Sequence, residues 1–99
     1  MKVIGVIPSR YDSSRFPGKP LIDLDGKSMI QRVYEGAMRS LKIDKLVVAT
    51  DHQRIVDEVE SFGGNVMMTS SSHISGTERC IEVAEKHNDF DILINIQGD

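Results

Sequence analysis

The 99-residue chain is 39% hydrophobic and 27% charged, with a formal net charge of −3, the composition of an ordinary soluble chain with room for one domain. Its acidity excludes a general nucleic-acid binder, whose footprint is basic, and no apolar run approaches the ~20 residues that span a bilayer, so no membrane role is expected. Cys80 is the single cysteine, which rules out an internal disulfide and fits a cytoplasmic setting.

Residues 2–7 (KVIGVI) are a continuous apolar run closed by Pro8, the pattern of a strand covered on both faces. The run is too short for the apolar core of a signal peptide. The next stretch, PSRYDSSRFPGKPL, carries Arg10, Arg15 and Lys19 among hydroxyls and prolines. An arginine presents a planar fork to phosphate oxygens and a lysine a point charge, so together they suit a polyphosphate. Gly18 lets the backbone turn close to a ligand. The alternative is a solvated basic loop. Residues 1–40 hold seven Lys/Arg against four acids, so the positive charge is local within an acidic chain.

Gly26-Lys27-Ser28 looks like the end of a Walker A loop, but Leu21 stands where that motif needs its first glycine. A turn followed by a helix start at Ser28 is the better reading. Met29, Ile30, Val33, Tyr34, Ala37, Met38 and Leu41 then draw one apolar helical stripe. Residues 45–50 (KLVVAT) repeat the strand pattern. Ile55, Val56, Val59 and Phe62 mark a second helix, with Asp51 as its expected N-cap and Gly63 as its stop. Residues 65–69 (NVMMT) are a weaker strand. Ser75 and Glu78 match a capping box before Cys80, Ile81, Val83 and Ala84, a third helix. Residues 91–96 (DILINI) are a fourth strand.

Alternating strands and helices define an α/β fold with a mostly parallel sheet and flanking helices. Such sheets bind ligands beyond the carboxyl ends of their strands. The opening loop, the TSSSHISGTER stretch with Arg79 and the final QGD all fall there. No dinucleotide fingerprint comes after the first strand. No spacing of His, Cys and Asp suggests zinc, and no nucleophile–base pair is visible. Asp99 sits where a carboxylate can hold Mg²⁺, an ion bound by one or two carboxylates plus substrate phosphates. Taken alone, Asp99 reads more readily as a cap for the next element of a chain; opposite a basic phosphate loop, the metal reading gains weight.

VIPSRYDSSRFPGKPL, ATD, FGGNVMMTSSSHISGTER and INIQGD, in this order, resemble the CMP-KDO synthetase family, the 3-deoxy-manno-octulosonate cytidylyltransferases. The resemblance implies the Rossmann-like fold of the nucleotide-diphospho-sugar transferases, and transfer of CMP from CTP to the anomeric hydroxyl of KDO, with release of pyrophosphate, for lipopolysaccharide biosynthesis. It implies that Arg10, Arg15 and Lys19 clamp the triphosphate, that Pro8 and Ser9 meet the cytosine and ribose, and that Arg79 helps hold the nucleotide. Gln97 would lie by the sugar and the α-phosphate, and Asp99 would bind Mg²⁺. Arg10, Lys19, Gln97 and Asp99 are thus the expected catalytic set.

Ser9, Asp12 and Glu78 depart from the residues usual in the family. Family members also continue well beyond this length, so residues 1–99 are expected to be the nucleotide-binding N-terminal part of a cytidylyltransferase domain whose C-terminal part is absent. On that reading the chain alone transfers little, and the full-length enzyme is a homodimer. The alternatives are a truncated nucleotide-binding module and a cytidylyltransferase for another acid sugar, such as 8-amino-KDO.

Overall fold

A computed structural model describes residues 1–11, 18–40, 42–70 and 76–96. Strand β1 (Val3–Pro8) leads through a 3₁₀ turn (Lys19–Leu21) and a small hairpin, β2 (Asp23–Leu24) and β3 (Lys27–Ser28), into helix α1 (Met29–Ser40). Then come β4 (Lys45–Thr50), α2 (Gln53–Ser61), β5 (Val66–Met68), α3 (Gly76–Lys86) and β6 (Ile92–Asn95). The expected strands and helices are all present, displaced by no more than one or two residues at their ends. The hairpin is additional. Asp25 and Gly26 take φ of 56° and 90° between its strands, the left-handed pair that a two-residue hairpin turn demands.

The four main strands form one parallel sheet in the order β5-β4-β1-β6. Residues alternate across it, as strand geometry requires. Ile7, Leu46 and Val48 face α1 and α2, where they pack with Ile30, Tyr34, Ala37, Ile55 and Val59. Ile4, Val6, Val47 and Ala49 face the other way, onto Cys80 and Val83 of α3. Both faces of β1 and β4 are therefore covered, which is why these strands read as unbroken apolar runs.

The chain steps from β1 to β4 to β5 in one direction, then returns to place β6 on the far side of β1. Right-handed crossovers put helices on opposite faces when the direction reverses, and α3 does lie opposite α1 and α2. The reversal makes the carboxyl ends of β1 and β6 a topological switch point, the usual ligand position in such sheets.

Ser28 caps α1, its hydroxyl accepting from the Gln31 amide at 3.2 Å. The expected cap of α2 is corrected: His52, not Asp51, is the N-cap residue, and its Nδ1 accepts from the Arg54 amide at 3.1 Å. Asp51 is drawn instead to Arg79. Gly63 ends α2 with φ of 80°, as expected. Ser75, the proposed cap of α3, lies outside the described residues.

Candidate nucleotide site at the carboxyl end of the sheet

Pro8 is the last residue of β1 and Ser9 the first beyond it. Ser9 is buried, and its amide donates to the Ala49 carbonyl at 2.8 Å, extending the β1–β4 ladder by one step. Its backbone is thereby fixed at this end of the sheet. Arg10 comes next and is exposed. Lys19 opens the 3₁₀ turn on the far side of the loop. The loop is closed at its neck by the Gly18 amide, which donates to the Tyr11 carbonyl at 2.6 Å. Arg10 and Lys19 are the chain neighbours of the two residues that this bond joins. Gly18 has φ of 77°, and an added Cβ would stand 3.3 Å from the Tyr11 ring, so this position requires glycine. Arg15, Gln97 and Asp99 lie outside the described residues, as does His73.

Arg79 stands in the first turn of α3. Its residue surface is 0% exposed. The guanidinium reaches the carboxyl ends of β4 and β5, where Nη1 donates to the Thr69 hydroxyl and, at 3.3 Å, to the Ser70 carbonyl. Nη2 is 3.6 Å from the Asp51 carboxylate, close enough for ion pairing but too far for a hydrogen bond. Nε and Nη2 have no hydrogen-bond partner among the described residues. Buried donors left in this state are costly unless something accepts from them. Asp51 balances the charge, and the Nε–Nη2 edge is a planar fork suited to a paired acceptor.

Three residues that sequence reasoning passed over complete this rim. The Tyr11 ring stacks on His52, with centroids 4.1 Å apart and planes at 16°. Its hydroxyl accepts from Arg54 Nη1 at 2.9 Å, and the same guanidinium lies 5.4 Å from the ring centroid. No local spacing signals this cluster, because its members come from two distant parts of the chain. Among the described residues, no group of three or more His, Cys, Asp or Glu is placed to hold a metal ion, and no helix is long and apolar enough to cross a membrane.

A doubly wound α/β sheet with a buried arginine and a cation-bearing loop at its carboxyl end is the class of architecture that takes ligands at that end. The match to the family described as cytidylyltransferase runs over residues 4–99, and the chain belongs to that family. It is 55% identical over 98 residues to a 3-deoxy-manno-octulosonate cytidylyltransferase of Leptospira interrogans, covering 99% of this chain and 40% of the relative. A relative of the same name from Parabacteroides distasonis is 56% identical over 100 residues, covering all of this chain and 39% of the relative. Among solved structures, a CMP:2-keto-3-deoxy-manno-octonic acid synthetase complexed with CTP superposes with a TM-score of 0.94 at 50% identity, over all of this chain and 41% of that one. The chain thus spans about two fifths of the length of the curated relatives it matches.

Proposed function

We propose that these 99 residues are the nucleotide-binding N-terminal part of a CTP-dependent cytidylyltransferase that activates 3-deoxy-manno-octulosonate for lipopolysaccharide biosynthesis in the cytoplasm. The observation that carries this reading is the combination of 55% identity along the chain to an enzyme of that name with a TM-score of 0.94 to a relative solved with CTP. In the reaction the anomeric hydroxyl of the acid sugar attacks the α-phosphorus of CTP. The new bond joins sugar oxygen to phosphorus, the bond to the β-phosphate oxygen breaks, and pyrophosphate leaves. In-line transfer of this kind depends on positioning and charge neutralisation more than on a protein nucleophile.

On this reading the roles are those that the family resemblance implies. Arg10, Arg15 and Lys19 take the triphosphate, while the backbone of Pro8 and Ser9 meets the nucleoside. Arg79 offers its Nε–Nη2 edge, which has no hydrogen-bond partner among the described residues, to a paired acceptor, such as the carbonyl and ring nitrogen on the pairing edge of cytosine. Gln97 lies by the α-phosphate and the sugar. Asp99 would hold Mg²⁺, an ion commonly bound by one or two carboxylates together with substrate phosphates and water. When bound, the ion supplies neutralisation of phosphate charge. On this reading the rest of the enzyme supplies the sugar pocket and the homodimer contacts, so the 99 residues alone transfer little CMP.

A chimera tests the assignment. This chain replaces the matching N-terminal residues of the Leptospira interrogans relative, and pyrophosphate release is monitored with CTP and KDO together and singly. Release that requires both substrates supports the assignment. A folded chimera that releases none contradicts it.

A further inference from the structure

We propose that Tyr11 and His52 are positioning residues: their ring stack pins the neck of the opening loop to the start of α2 and so fixes the backbone beside Arg10 and Lys19 for an anionic ligand. The proposal deepens the nucleotide reading above and rests on it. Three contacts converge on the Tyr11 side chain. One ring face lies on His52, the ring edge stands 3.3 Å from where a Cβ at position 18 would be, and the hydroxyl accepts from Arg54. The Tyr11 carbonyl meanwhile accepts the Gly18 amide that closes the neck. A single backbone bond across a surface loop opens readily on its own. An aromatic stack on a capped helix gives that bond a fixed support.

His52 has two separable tasks. Its Nδ1 caps α2 by accepting from the Arg54 amide, which places the proton of the neutral ring on Nε2. Its ring face carries Tyr11. His52→Asn keeps an acceptor at the N-cap and removes the ring. His52→Phe keeps a ring and removes the acceptor. The pair separates support of the loop from support of the helix.

The test measures three quantities on the wild type and both variants: the thermal midpoint, amide hydrogen exchange at Gly18 without nucleotide, and CTP affinity by calorimetry. His52→Asn is expected to keep its midpoint, lose protection at Gly18 and bind CTP about two- to twelvefold more weakly, the range of an aromatic pair. His52→Phe is expected to melt lower yet keep Gly18 protection and bind CTP within about twofold of wild type. If affinity and protection track the cap instead, or if Gly18 exchanges equally in both variants, His52 only caps α2 and the proposal is overturned. A wild-type chain that binds no CTP defeats the nucleotide reading, and the Gly18 exchange of the two variants still decides whether the stack holds the neck.

Discussion

Arg79 is wholly buried 3.6 Å from Asp51, whose side chain retains 23% of its exposure. The two residues therefore differ in what happens when the other is lost. Asp51 without Arg79 still reaches water. Arg79 without Asp51 is an uncompensated buried cation, a loss that costs about 3–5 kcal/mol in comparable pairs, with the lower end expected for a partly exposed partner. Asp51→Ala should accordingly destabilise the fold by about 3 kcal/mol, and Arg79→Met by clearly less. Urea denaturation of the two variants checks the order, and equal losses would mean that Asp51 does not compensate the arginine.

Gly18→Ala should damage the opening loop rather than the core. An L-residue with φ of 77° carries about 1–2 kcal/mol of strain, and the new methyl meets the Tyr11 ring at 3.3 Å. The expected result is a modest fall in stability, with broadened or shifted amide resonances confined to the loop, the 3₁₀ turn and the start of α2. Uniform changes across the sheet would show that the neck is not a local unit.

Two carboxyls should contribute to the acid limb of stability. Hydrogen bonds from Lys27 and then Gln31 hold Glu35 below its ordinary value, and a hydrogen bond from Lys2 does the same for Asp89. For groups lowered in the folded state, the stabilisation is complete above their ordinary values and is lost as the pH falls through the lowered ones. Thermal midpoints should therefore fall on acidification from about pH 5 to pH 2, and less steeply in the Glu35→Gln, Asp89→Asn double variant. Parallel curves would show that these pairs contribute nothing to the acid limb.

Cys80 supplies the alkaline counterpart. Burial against β1 and β4 raises its thiol, with the neighbouring Arg79 charge opposing. Native protein at pH 8 should leave Cys80 unlabelled by a disulfide reagent over minutes, whereas unfolded protein labels fully. Because the folded thiol resists ionisation, stability should decline as pH rises past the ordinary thiol range of about 8.5. Rapid native labelling would show that α3 opens from the sheet.

Much of this fold is legible in the chain because its central strands are buried on both faces. Residues such as Ile4, Val6, Val47 and Val48 had to be apolar in succession, and the helices α1 and α2 each show a single apolar stripe. The hairpin escaped the sequence reading, which saw only a turn near Gly26, because its two-residue strands have no periodicity. The cap of α2 went to His52 because Asp51 had a stronger use, pairing with a cation 28 residues later in the chain. That choice, like the stack of Tyr11 on His52, is set by which strands become neighbours, and no local pattern encodes it. The cationic opening loop was visible as composition, whereas the bond that closes its neck belongs to the folded chain alone.

The most direct measurement is a two-dimensional amide spectrum of the 99-residue chain titrated with Mg²⁺-CTP and, separately, with Mg²⁺-ATP. A cytidine-nucleotide site predicts dispersed resonances and CTP-selective shifts at Ser9, Arg10, Lys19 and Arg79, at concentrations where ATP moves them little. A folded chain whose resonances ignore CTP, or respond equally to both nucleotides, would contradict such a site at this end of the sheet.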